Sequence, residues 1–190
     1  MTLVFRLSLF LKYLSIRKNK FYMKKTLAIT VFNEAGVLTR ISTVFSSRGF
    51  NMESIAVGST EKEGISRIII VFPGDLQAIE QISKQLNKLV QVIEVKDISV
   101  CPCVERELML IKVQSFPIIR SEIIEISQIF KAKIVDLSDS SITLEVTGDP
   151  GKIVTILELL SRYTILEIVR TGKISLEREL GINTESLKNM

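Results

Sequence analysis

The chain has 190 residues, 46% hydrophobic and 24% charged, a globular rather than disordered balance. It contains no His, which excludes imidazole bases, His-ligated metals and Ser-His-Asp relays, and its two cysteines are too few for a zinc site or a disulfide scaffold. The net charge of +4 is uneven: Arg6, Lys12, Arg17, Lys18 and Lys20 stand in the first 22 residues without an acid, and removing these five leaves 20 basic against 21 acidic residues, a net of −1.

Residues 1–24 form a basic leader. Its apolar stretch from Leu3 to Ile16 is broken by Arg6 and Lys12 and falls short of the ~20 residues a spanning helix needs, so no membrane segment is expected. Leu3, Leu7, Phe10 and Leu14 would share one helical face. The leader reads either as a targeting segment or as a translated upstream stretch with Met23 as the working start. A secretory signal would need a small-residue cleavage pattern that is missing.

From Lys25 the periodicities are clear. Thr26–Phe32 is a strand stopped by Asn33-Glu34-Ala35-Gly36, and Val37, Leu38, Ile41, Val44 and Phe45 then recur at helical spacing. Gly49 suits the end of that helix, where a left-handed backbone angle is cheap only without a Cβ. Asn51–Ser59 alternates as a strand. Glu61–Gly64 is a turn, and Ile65–Phe72 completes a hairpin. Asp75 is placed to cap a helix carried by Leu76, Ile79, Ile82, Leu86 and Leu89, and Val90–Ile98 closes the unit.

The pattern then restarts. Glu105–Gln114 is a strand, and Ile118–Phe130 a helix. Lys133–Leu137 and Ser141–Thr147 form a hairpin. Asp149-Pro150-Gly151 opens a helix, and Tyr163–Thr171 is the closing strand. The fold class is α+β: two tandem ferredoxin-like βαββαβ domains, over 25–100 and 104–178, with the boundary near Ser99–Val104 and a tail over 179–190. Beyond Lys173 the chain is polar and Gly-broken, with partial order expected. Small domains with open sheet edges such as Asn51–Ser59 are stabilised by pairing, so a homodimer is expected.

Motifs for nucleotide, P-loop or zinc-protease chemistry are absent from the sequence. Arg48-Gly49-Phe50 mimics the start of an RNA-recognition strand, yet it stands at a helix end, and residues from 23 onward lack the positive charge that phosphate backbones require. Cys101-Pro102-Cys103 reads as two reduced linker thiols, and Glu105-Arg106-Glu107 as a solvated strand end. No catalytic or metal-binding residue is assigned.

Asn33-Glu34-Ala35-Gly36-Val37-Leu38 and Gly49-Phe50-Asn51-Met52 are more informative. A Gly at a strand-to-helix turn lets a small ligand approach the open N–H groups of the helix start, which favour a carboxylate. Asn33 and Asn51 suit an ammonium group, and Leu38 and Ile55 an aliphatic side chain. The same residues also read as an Asn cap and a Gly turn with no ligand, and both readings stand on pattern alone.

The run NEAGVLTRISTVFSSRGFNMESIAVGSTEKEGISRIIIV resembles the ACT domain of the acetolactate (acetohydroxyacid) synthase small subunit. The likeness continues through LNKLVQVIEVKDIS, VERELMLIKV, KIVDLSDSSITLEVTG and ILEIVRTGKISLER, covering about residues 25–178. The resemblance implies a regulatory subunit with no catalysis of its own in valine, leucine and isoleucine biosynthesis. Such a subunit activates the large, catalytic subunit and confers feedback inhibition by valine. It carries no cofactor itself; thiamine diphosphate, Mg²⁺ and FAD belong to the catalytic partner. By motif position the valine site maps onto Asn33, Gly36, Val37, Leu38, Asn51 and Met52, with Ala56, Val57 and Gly58 lining it, at an interface between the ACT domains of a homodimer. Nucleic acid and membrane are not among the expected partners. An Ile- and Lys-rich, Ala-poor composition accords with a plastid stroma or a low-GC bacterial cytoplasm. The alternative is a free-standing amino-acid-sensing ACT protein that regulates another enzyme or a transcription factor.

Overall fold

The computed structural model describes residues 24–179, so the two readings of the leader and the order expected beyond residue 179 fall outside it. The first unit is β1 (Lys24–Phe32), α1 (Val37–Ser46), β2 (Ser54–Ser59), β3 (Ile65–Pro73), α2 (Leu76–Leu86) and β4 (Val92–Asp97). Its antiparallel sheet runs β2-β3-β1-β4. The second unit repeats the order: β5 (Cys103–Gln114), α3 (Pro117–Ile129), β6 (Lys133–Leu137), β7 (Ser141–Gly148), α4 (Pro150–Leu160) and β8 (Ile165–Arg170), with sheet order β6-β7-β5-β8. The two βαββαβ domains expected from the sequence are present.

Each sheet buries one face under its two helices. Alternation along β1 and β3 turns Leu27, Ile29 and Val31, with Ile68, Ile70 and Phe72, toward α1 and α2. Those helices answer with Val37, Ile41 and Phe45 and with Ile79, Ile82 and Leu86. Phe45 meets Phe72 edge-on, with ring centroids 5.3 Å apart. In the second unit Met109, Ile111, Val113, Ile142, Leu144 and Val146 lie under Ile123, Ile153, Ile156 and Leu160.

The starts of α2 and α4 and the end of α1 are where sequence chemistry placed them. Asp75 accepts the Ala78 N–H at 2.8 Å, Asp149 accepts the Lys152 N–H at 2.9 Å, and Pro117 and Pro150 open α3 and α4. The α1 helix closes in a Schellman motif: Phe50 N–H donates to Phe45 O and Gly49 N–H to Ser46 O, both at 3.1 Å, with Gly49 at φ +71°.

Four expectations need correction. Strand β2 starts at Ser54, not Asn51. In its register with β3, Met52 would lie opposite Pro73, which has no N–H to extend the ladder. The connection between α2 and β4 is longer than expected: α2 stops at Leu86, with Leu89 packing from the following turn, and β4 begins only at Val92, leaving Val90 87% exposed. The boundary region is not linker throughout, because β5 already starts at Cys103.

The fourth correction is a strand the pattern did not announce. Strand β9 (Ile174–Glu177) pairs antiparallel with Cys103–Arg106 at the start of β5. On the face of the first sheet opposite its helices, Ala28, Ile69 and Ile98 pack together with Ala56 and Cys103. The start of the second unit therefore covers part of the first sheet's open face.

Candidate functional site

The site begins where β1 runs out. Asn33 ends the strand, its N–H donating to Gly64 O at 2.8 Å, so the β2–β3 turn is tied beside it. Gly36 then takes φ +84° at the start of α1, and a Cβ there would meet nothing within 4 Å. Backbone angle, rather than space, requires the glycine. No side chain caps α1 and no acid stands in its first turn. The first helical bond is Arg40 N–H to Gly36 O at 3.0 Å. The positive end of the helix dipole is thus left uncompensated among the described residues, in open space, beside an exposed asparagine. That arrangement can take a small carboxylate.

The nine candidate residues do not converge in one chain. Gly58 lies beyond β3 at the same end of the sheet as Asn33 and Gly36, since Ser59 pairs with Ser66 and Phe32 with Ile65. Leu38 and Val57 are half-exposed apolar groups at that end, at 45% and 54%. Val37 is buried in the first core and can offer only its backbone. Ala56 faces the opposite side of the sheet, among Ala28 and Ile69. Asn51 and Met52 follow the other end of α1, whose ten residues span about 15 Å. Asn51 is exposed, Met52 packs on the first core, and Ile55, expected in the ligand wall, is also a core contact. Among the described residues no hydrogen bond engages the side-chain amide of Asn33 or Asn51. Within one chain Asn33 and Asn51 thus stand at opposite ends of α1, and β2 beside them is an edge strand of its sheet.

Other sequence candidates resolve differently. Cys101 and Cys103 are free thiols with donors turned to Asp97 O and Ile98 O, and burial pushes the Cys103 thiol up. That is the setting of an unreactive thiol. Glu105 is not simply solvated: it accepts Lys173 Nζ at 2.5 Å and Ser175 Oγ at 3.2 Å. Glu107 is largely buried, 4.0 Å from Arg170. No helix of the described residues is long and apolar enough to cross a membrane, and no group of three or more acidic or Cys side chains among them is placed to hold a metal.

Comparison with known proteins gives the family of the chain. A family described as "AHAS small subunit-like ACT domain" matches residues 27–94, and one described as "Small subunit of acetolactate synthase" matches residues 106–179. The probable acetolactate synthase small subunit of Archaeoglobus fulgidus is 47% identical over 156 residues, which are 82% of this chain and 98% of that one. This chain belongs to the acetolactate synthase small-subunit family. The family's solved small subunit from Thermotoga maritima superposes with a TM-score of 0.75 at 39% identity, covering 82% of this chain and 98% of the other. The chloroplastic small subunit 2 of Arabidopsis thaliana is 49% identical over 156 residues, but this chain spans only 32% of its length. The family assignment covers both sheets, and with them the Gly36 turn and the β2 edge.

Proposed function

We propose that this chain is the non-catalytic regulatory subunit of an acetolactate synthase, activating the catalytic subunit and making it sensitive to valine in branched-chain amino-acid biosynthesis. In this reading the chemistry, with its thiamine diphosphate, Mg²⁺ and FAD, resides on the large subunit, and the chain works in plastid stroma or bacterial cytoplasm. The observation that carries the proposal is the uncapped start of α1 at Gly36, with Asn33 beside it and Asn51 one helix length away. The helix start would take the valine carboxylate, Asn33 and a second copy's Asn51 its ammonium group, and Leu38 and Val57 its isopropyl group. Bound valine would favour one arrangement of the homodimer, and the difference in affinity between arrangements sets how far activation falls.

Titration calorimetry of the full chain with valine tests this directly. Saturable heat is expected, and a folded chain that takes up no valine at millimolar concentration rejects the sensor. Added to an acetolactate synthase catalytic subunit, the chain is expected to raise acetolactate formation and make it sensitive to valine, while forming none alone.

A further inference from the structure

Besides the Cys103 packing on the first sheet's open face, the second unit meets strand β2 at a polar junction. The turn between β8 and β9 brings Gly172 against the start of β2, where a Cβ would lie 2.5 Å from Ser54 Oγ and 3.4 Å from Ile55 O. Gly172 also takes φ +82°, so both its backbone angle and its neighbours demand glycine. The next residue makes the connection polar. Lys173 N–H donates to Ser54 Oγ at 3.1 Å, and Lys173 Nζ reaches Thr26 Oγ1 on β1 at 3.0 Å and Glu105 Oε1 on β5 at 2.5 Å. Ser175 Oγ on β9 donates to the same carboxylate oxygen, and Lys96 of β4 pairs with Glu177 at the far end of β9. Lys173 is only 18% exposed along its side chain, so this ion pair is shielded more than a surface one.

Ser54 shares a strand face with Ala56 and Gly58, because side chains two apart point the same way. The second unit therefore grips β2 on the face opposite the helices, three residues before Val57. Beside the grip lies a cleft of about 460 Å³, lined in part by Glu53, Ser54, Ile55 and Arg170.

We infer that the Thr171–Lys173 turn is a latch that couples β2 to β9, so that a displacement of the effector strand is passed to the second domain through Ser54 and Lys173. The inference rests on the effector reading of β2 for its regulatory meaning, but the latch itself can be tested without any ligand.

Hydrogen exchange of the full chain is the experiment. Ser54→Ala removes the oxygen to which the Lys173 backbone N–H donates, and Gly172→Ala drives the turn off β2, because its Cβ would lie 2.5 Å from Ser54 Oγ, so the two variants cut the latch from opposite sides. Without ligand, Ser54→Ala is expected to speed exchange over 174–177, and Gly172→Ala over 54–59. Each change should be about tenfold, as a lost hydrogen bond to a charged or buried partner would give. Changes confined to the mutated side would overturn the latch. With valine, the wild type should slow in both segments, whereas Gly172→Ala should bind valine within about threefold of wild type and slow only over 54–59. Valine protection limited to β2 in the wild type, or still reaching β9 in Gly172→Ala, would also overturn it. If valine does not bind the wild type, the effector reading falls, and the ligand-free arm alone decides the latch.

Discussion

Gly36 carries two demands that mutagenesis separates. Its left-handed backbone costs an L-residue about 1–2 kcal/mol, while the space around a Cβ is open. Gly36→Ala is therefore expected to lower stability in urea by about 1 kcal/mol and to leave much of the valine heat. Asp tolerates the left-handed region better than Ala, so Gly36→Asp should fold at least as well. It nevertheless places a carboxylate where the ligand's own must sit, and valine heat should vanish. Loss of binding in Gly36→Ala but not in Gly36→Asp would remove the carboxylate from this end of α1. Of the site, the residue types around this turn were legible in the sequence, because Asn, Gly and a following helical period have direct chemical meanings. What was not legible was the distance between Asn33 and Asn51, which only the packed length of α1 sets.

At the scale of elements, Asp149 illustrates a cap whose effect has a pH signature. The Lys152 N–H that it accepts, more than any other group, holds its carboxyl below the usual carboxylate range. A carboxyl lowered on folding stabilises α4 fully above its unfolded pKa, and that stabilisation is lost as pH falls through the lower, folded one. Asp149→Ala should cost about 1 kcal/mol at neutral pH, and the gap from wild type should close on acidification. Asp149→Asn caps without titrating, so its stability should fall less between pH 5 and pH 2 than that of the wild type. Equal acid slopes for the two would show that the cap does not titrate with folding. Both caps and most strands were readable because apolar periodicity matched burial. In β9 the match is inverted: Ser175 is buried and Glu177 half-buried, while Ile174 and Leu176 are 54% and 62% exposed. Its polar side faces Glu105 of the adjoining β5 and, across the domain junction, Lys96, so a rule that sends apolar residues inward assigns this segment to a loose tail.

For the whole molecule, the junction and the proposed homodimer each imply a measurable behaviour. Glu177 is held below the usual carboxylate range chiefly by the hydrogen bond from Lys96, whose own pKa that bond raises. The attachment of β9 through this pair is therefore complete at neutral pH and weakens as pH falls through the lowered Glu177 value. Exchange over 174–177 should rise on acidification, after correction for intrinsic rates, earlier than exchange in the buried strands β1 and β3. The dimer gives the sharper test. In a two-fold homodimer that buries the β2 edges, Asn33 of one copy would face Asn51 of the other, and the reverse holds at the second site. Asn33→Ala and Asn51→Ala should then each lose valine binding alone. Mixed one to one and allowed to exchange subunits, half of the dimers carry one of each chain. In each mixed dimer one site joins two altered residues and the other joins two intact ones, so about a quarter of all sites should regain binding. Calorimetry of the mixture reads that stoichiometry, and ultracentrifugation confirms that the species is a dimer. A mixture as silent as its components would place Asn33 and Asn51 in the same chain's site or in none, and the shared site would be abandoned.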